Sequence, residues 1–461
     1  MQGFSVAEPP EVPRVRAFLE SGRMRDDPVA TFRAHQRRLG DDYVYHFGGM
    51  RRVRVVSDPA MLRRVLKDNA ENYRKSEIQM RRMRRFLGPG LLTHHGEAWR
   101  RQRRLIQRGF GPRGLEALGA VMRASLADSL ADFETRLGEP VDLGAEMTAA
   151  TFAMVARSLF GAAMTAAEIA LVSEAILRIQ AFIVRQITEP HLAAWFVASG
   201  ELARHDRLRR AGDAVLRRHV DARRRAGEAG DDLLGVLLSA RHEDTGEGLS
   251  DEEVLCECMQ LLVAGHETSS NALAWTLYLL ERDPDTLARV RAEFEAVIGD
   301  RPLGWSDVAR LPEACRALEE ALRLYPPFWM VDREAVADDE AGGRRIAAGE
   351  TIVAFLYGVH RDAGRWPEPD SYRPARIGPS DRKTTRDFTY LPFGGGPRGC
   401  VGANYAMMQM LMVLEAWTRR YDWSVAEGGE VAPAPLIILR QRPGATTRVR
   451  RRERALEEGA T

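Results

Sequence analysis

Lysine is nearly missing from this chain: in 461 residues it occurs only at Lys67, Lys75 and Lys383, so arginine carries almost all of the positive charge. Lysine plus arginine (67) nearly balances aspartate plus glutamate (65), and a net charge of +2 gives no bulk case for nucleic-acid binding. Cysteine is scarce too. Cys256, Cys258, Cys315 and Cys400 are too few and too irregularly spaced for a disulfide framework, which points to a reducing, cytoplasmic setting. No run of about 18 consecutive apolar residues exists, so no transmembrane segment is expected. The N-terminal MQGFSVAEPPEVP has neither a basic start nor an apolar stretch and does not read as a signal peptide. What remains is a chain 45 % apolar and 29 % charged, the balance of a globular protein long enough to bury a large cofactor.

The periodicity is mainly helical. Residues 43–56 read as two strands around Gly48-Gly49, and long helical patterns cover 114–136 and 200–226. Ser250 and Glu253 fit a capping box, opening a helix that runs to about 280 and stops at Asp283-Pro284. Another helix, over 311–325, ends at Pro326-Pro327. Strand-like pieces at 344–357 surround the turn Ala348-Gly349. The stretch 360–399 is a loop rich in proline and glycine, of a length usually tied to function. A last helix follows Cys400, then a strand-like LIILR at 436–440. Residues 1–25 read as an N-terminal extension and 447–461 as an Arg-rich solvated tail. With no repeat and no linker, the expectation is one domain spanning 1–461, mainly α with small β-sheets.

The most specific segment is Phe393-Gly394-Gly395-Gly396-Pro397-Arg398-Gly399-Cys400-Val401-Gly402. Gly394, Gly396 and Gly399 satisfy the spacing of a dinucleotide-binding turn, but that turn needs a βαβ unit and an acid about 20 residues further on. Only 61 residues follow Cys400, and Pro397-Arg398 fills the turn that should open the helix. A cysteine in a glycine-rich turn before a helix is better suited to holding a thiolate, which backbone N–H groups and the helix N-terminus stabilise. Such a thiolate can ligate iron, and the glycines let a flat macrocycle approach the backbone. A buried free thiol is the ordinary alternative. The ten residues match F-x-x-G-x-R-x-C-x-G, and in this the chain resembles the cytochrome P450 family.

Three further segments carry the resemblance in the family's order. Ala264-Gly265-His266-Glu267-Thr268 matches A/G-G-x-D/E-T; Gly265 weakens the helix ladder and Thr268 can bond the carbonyl of Ala264, which together favour a local kink or a widened turn. His266, two residues from Thr268, lies off the catalytic face. Glu320-Ala-Leu-Arg323 followed by Leu-Tyr-Pro-Pro matches E-x-x-R, with Arg376 in Tyr372-Arg373-Pro374-Ala375-Arg376 as the implied third member of a structural triad. Trp99-Arg100-Arg101-Gln102-Arg103 matches W-x-x-x-R, with Trp99 and Arg103 one turn apart on one face. One departure is Gln409, where the pattern has Glu. His94-His95 read as a surface turn, and Cys256, Cys258 and Cys315 as structural thiols.

The resemblance implies a single-domain P450 fold and haem b as cofactor, with Cys400 as axial ligand whose electron donation favours O–O cleavage. It implies Trp99, Arg103, Arg333 and Arg398 as propionate ligands, Ala264, Phe393 and Gly402 as further haem contacts, and Glu267 and Thr268 as a proton relay. The substrate pocket is placed on Leu261, Ala264, Phe328, Trp329, Met330 and Ile437, with Val331, Leu436 and Ile438 beside them; all are apolar. The implied reaction inserts one oxygen atom of O₂ into an apolar small molecule such as a terpenoid, a fatty-acyl compound or another secondary metabolite. Electrons are expected from a separate ferredoxin or flavodoxin with an NAD(P)H reductase, docking near the stripe Arg100, Arg104, Arg108. An H₂O₂-driven peroxygenase and a non-enzymatic haem gas sensor or carrier are the alternatives. Both the acid and the alcohol are present, which weighs against the first, and no output domain is visible for the second.

Overall fold

The computed structural model describes residues 8–189, 192–227, 230–242, 245–378, 387–425, 431–435, 437–442 and 446–453. The hairpin expected around Gly48-Gly49 forms between β1 (Asp42–Phe47) and β2 (Arg51–Val56), in a register that pairs Val44 with Arg54. Both turn glycines take positive φ, 60° and 74°, which a side chain would resist. Three strands complete this sheet: β3 (Tyr73–Arg74), β5 (Val331–Ala335) and β6 (Thr351–Ala354). The order is β1-β2-β6-β5-β3, with β2 and β6 parallel and every other pair antiparallel. The strand-like stretch 344–357 therefore splits. Arg344–Ile346 turns back on Asp339–Ala341, while β6 joins the large sheet.

Helices form the rest of the body. Those that place the site are α1 (Arg14–Leu19), α2 (Gly96–Gln107), α3 (Pro112–Glu134), α4 (Leu143–Phe160), α5 (Ala166–Thr188), α6 (Ala193–Ala198), α7 (Glu201–Ala226), α8 (Asp251–Glu281), α9 (Pro312–Leu324) and α10 (Ala403–Arg420). The longest, α8, opens with the predicted capping box: Ser250 Oγ accepts from Glu253 N, and Glu253 accepts from Ser250 N. It then runs through the interior, packed on α4, α9 and α10, and most of its residues beyond Glu253 are buried. Among the described residues no helix is long and apolar enough to cross a membrane.

Helix α8 is continuous through Gly265. A Cβ built on Gly265 would stand 3.1 Å from Val155 Cγ2, so the glycine lets α4 pack close. Thr268 Oγ1 does donate to the Ala264 carbonyl, at 2.9 Å.

Both chain ends are more structured than expected. The segment read as an extension is stitched to the sheet, with Val12 N donating to Val44 O and Val44 N to Pro10 O, each at 2.9 Å. The Arg-rich tail becomes β10 (Thr446–Arg451), the middle strand of a sheet with β4 (Val141–Asp142) and β7 (Tyr421–Val425). Thr447 and Val449 are buried while Arg448 and Arg450 face out. That is the period-2 pattern of a half-buried strand, masked in the sequence by the density of arginine. Of LIILR, Leu436 lies outside the described residues. Leu439–Gln441 is β9 and pairs with β8 (Pro433–Pro435).

Candidate active site

A cavity of about 360 Å³ lies between α8 and the glycine-rich loop before α10. Leu261, Ala264, Gly265 and Thr268 line it from α8; Phe393, Gly399, Cys400 and Gly402 line it from the opposite wall. Cys400 is exposed, yet it sits deep in the protein, so its open surface faces this cavity and not bulk water. Burial raises its thiol pKa; the Gly402 N–H and Arg103 act in the other direction and favour the thiolate. The other three cysteines are buried. Burial also pushes the Cys256 thiol up to about 12, so it stays protonated and inert.

The cysteine loop is built by backbone bonds. Cys400 N donates to Phe393 O at 2.9 Å, and Gly394 N to Leu391 O at 3.0 Å. Gly396 has φ of 67°, and a Cβ there would lie 1.9 Å from Leu66 O, so no other residue fits. Behind the loop the predicted triad is in place. Arg323 donates to both Glu320 oxygens, at 2.8 and 2.9 Å, and Arg376 Nε stands 3.0 Å from Glu320 Oε1. Glu320 and Arg323 are fully buried. Arg323 also donates to the carbonyls of His360 and Pro369, each at 2.7 Å, and His360 Nε2 accepts from Leu391 N at 2.7 Å. The charge network thus reaches the cysteine loop through one histidine. Burial and the nearby Arg323 and Arg361 hold that histidine near a pKa of about 3, hence neutral and able to accept.

Positive charge gathers on one side of the cavity. Arg103, Arg333 and Arg398 all line it, as the sequence leads one to expect, and so does Lys75, which no motif singles out. Arg103 donates to Gly399 O at 2.8 Å, and Arg398 to His94 O at 2.9 Å. The Arg398 guanidinium lies 4.2 Å from the Trp99 ring centre. Lys75 Nζ donates to Leu92 O at 2.6 Å. Burial, together with Arg333 and Arg398, drops its pKa to about 7. Asp332 is the acid facing Lys75 and Arg333, and one of its oxygens already accepts from Ser76. Four cations against so little negative charge call for an anion in the cavity. A flat group carrying two carboxylates on one edge and a thiolate-seeking iron at its centre fits this wall, which is the outline of a haem.

Other expected site residues separate. Phe328, Met330 and Ile437 line the cavity, and so do Val331 and Ile438. Trp329 does not. It is buried in the sheet-side core beside Phe32 and Phe355. Glu267 is absent from the lining and pairs instead with Arg440 of β9, a partner no sequence pattern announces. His266 is buried edge-on against Phe152, away from the cavity lining: Nδ1 bonds Leu262 O at 2.7 Å, and burial lowers its pKa to about 4. Gln409, the departure from pattern, donates to Thr151 O at 3.1 Å and ties α10 to α4. On α2, Arg100 is engaged by Glu97 and Glu71, so the basic stripe is partly neutralised.

Comparison with known proteins agrees with this site. The family model described as "Cytochrome P450" matches residues 6–447. The chain is 33 % identical over 399 residues to cyclooctatin synthase of Streptomyces melanosporofaciens, covering 86 % of each chain. It is 30 % identical over 385 residues to pentalenene oxygenase of Streptomyces avermitilis, covering 84 % of this chain and 85 % of that one. A crystal structure of the cytochrome P450DA heme domain superposes with a TM-score of 0.86 at 24 % identity, covering 97 % of this chain and 98 % of the other. The chain belongs to the cytochrome P450 family of haem-dependent monooxygenases.

Proposed function

We propose that this P450 inserts one oxygen atom of O₂ into a terpenoid-type substrate, in the cytoplasm, with electrons from a separate ferredoxin or flavodoxin and its NAD(P)H reductase. One observation carries the reading: Cys400 and Thr268 look into the same cavity from opposite walls. The haem b iron, once bound, supplies the oxygen chemistry. Cys400 would hold it from below, Arg103, Arg333, Arg398 and Trp99 would hold its carboxylates, and Lys75 joins that set. The apolar lining from Leu261, Ala264, Phe328, Met330 and Ile437 orients a substrate by shape and dispersion. The names of two relatives, cyclooctatin synthase and pentalenene oxygenase, support a terpenoid class.

Thr268 is the polar group positioned to hand on a proton. Its hydroxyl donates to Ala264 O, which leaves its lone pairs toward the cavity for water. Glu267 contributes only by leaving Arg440, because the pair holds it off the cavity. Arg103 reaches from α2 to the Gly399 carbonyl, so α2 abuts the cysteine loop and offers a short route for electrons from a docked donor.

Two measurements test the reading. The reduced carbon-monoxide complex of the wild type should show the red-shifted Soret band of thiolate-bound haem, and Cys400→Ala should lose it while Cys256→Ala, Cys258→Ala and Cys315→Ala keep it. Turnover of a terpene should require NAD(P)H, reductase and donor protein. Equal turnover with H₂O₂ alone would replace this reading by a peroxygenase.

A further inference from the structure

Two polar side chains of α8 stand in the core with no part in the proposed reaction. Glu257 and Gln260 lie two turns and one turn before Ala264, and their exposures are only 0 % and 1 %. An apolar residue at either place would need no partner, whereas a buried carboxylate or amide is costly unless it is bonded. Both are bonded to one segment. Residues 88–95, between the helix Glu77–Leu87 and α2, form neither helix nor strand, so their backbone groups have no ladder to join.

Helix α8 supplies the partners instead. Glu257 Oε1 accepts from Leu91 N and Gln260 Oε1 from Leu92 N, each at 2.7 Å. Gln260 Nε2 donates to the carbonyls of Leu87 and Gly88, at 3.2 and 3.3 Å. The fit is close, since a Cβ on Gly90 would lie 2.4 Å from Gln260 Nε2 and 2.6 Å from Glu257 Oε1. Glu257 Oε1 also accepts from Gln102 Nε2 of α2, at 2.9 Å. Burial raises the Glu257 carboxyl pKa to about 7, and the Leu91 and Gln102 donors favour its ionised form, the stronger acceptor. The same segment carries the positive wall of the cavity. Lys75 donates to Leu92 O and Arg398 to His94 O. Gln102 adjoins Arg103, which reaches Gly399 O. Leu87, Leu91 and Leu92 line the cavity themselves.

We propose that Glu257 and Gln260 are positioning residues that seat this segment on α8, and through it set Lys75 and Arg398 for the haem carboxylates. The proposal rests on the assignment of those two cations to the carboxylates, and it requires no contact of Glu257 or Gln260 with haem or substrate. Lifting the segment off α8 moves the two carbonyls that fix the cations, so the haem is held less firmly. It also moves Leu91 and Leu92, so the wall that shapes the substrate loosens with it.

The test uses the haem-loaded enzyme and reads hydrogen exchange in the segment together with haem loss to excess apomyoglobin. In Glu257→Leu and in Gln260→Leu the amides of Leu91 and Leu92 should exchange about tenfold or more faster, and haem should leave severalfold faster. Exchange across Glu320–Arg323 in α9 should stay as in the wild type, which separates local release from general destabilisation. Glu257→Gln keeps an acceptor oxygen and should hold the segment nearly as the wild type does. Lys75→Met should speed haem loss with little change in segment exchange. Wild-type exchange in both Glu257→Leu and Gln260→Leu, or a Glu257→Gln variant as loose as Glu257→Leu, would overturn the proposal. So would a freed segment with unchanged haem loss where Lys75→Met does speed it. If haem loss is unchanged in Lys75→Met as well, faster exchange still supports the seating of the segment, and it is the assignment of the cations that fails.

Discussion

Glu267 and Arg440 form an ion pair at the junction of α8 and β9, with the carboxylate almost wholly buried. Thr268, the next residue and about 100° further round the helix, lines the cavity. The acid and the alcohol that stand together in the sequence therefore face different surroundings. Removing Arg440 alone, as Arg440→Met, leaves a buried carboxylate without its partner. The expected loss is about 1–3 kcal/mol, below that of a fully buried pair because the guanidinium is one-third exposed. Adding Glu267→Gln should recover part of it in urea titrations, and strict additivity of the two changes would show that the residues do not interact.

Thr268→Ala takes away the hydroxyl facing the cavity and leaves Cys400 and the apolar lining intact. Substrate affinity, read from the haem absorption shift, should change little. NADPH consumption should continue while more of it ends as peroxide. Unchanged product per NADPH would move the relay to water held elsewhere.

Lys75 makes haem binding depend on pH. Its pKa is about 7, lowered by burial and by Arg333 and Arg398. An anionic propionate beside it raises that value. Haem uptake then draws in a proton between pH about 7 and the higher pKa of the loaded form, so affinity is greatest below pH 7, falls across that window and levels off above it. Competition for haem with an acceptor protein across pH 6–9 measures this. Lys75→Met should flatten the dependence and speed haem loss. A slope that survives the substitution would assign it to another group.

Ala264 and Trp329 should respond in opposite ways. Ala264→Phe fills space in the cavity wall and should weaken binding of a bulky terpenoid without unfolding the protein. Trp329→Ala empties the sheet-side core instead, and should cost about 3–5 kcal/mol in urea denaturation with ligand affinity nearly intact. Lost affinity at unchanged stability in Trp329→Ala would place that ring in the pocket after all.

Several features were legible in the residues alone because they depend on short spacings. The capping box at Ser250, the Thr268–Ala264 bond and the Glu320–Arg323 pair lie within one helical turn, where geometry follows from sequence separation. The cysteine loop is similar, since Gly394 and Gly396 take positive φ that a side chain would resist. Side-chain direction and distant partners were decided elsewhere. Arg440 reaches Glu267 across more than 170 residues, Lys75 joins arginines from two other segments, and Trp329 turns to the core while its neighbours Phe328 and Met330 turn to the cavity. The Arg-rich C-terminus becomes a strand because β4 and β7 offer it backbone partners on both sides. Spacing along the chain determines which groups share a turn; which groups meet across the interior is determined only when the helices and sheets pack, because burial, not sequence distance, then selects the partner.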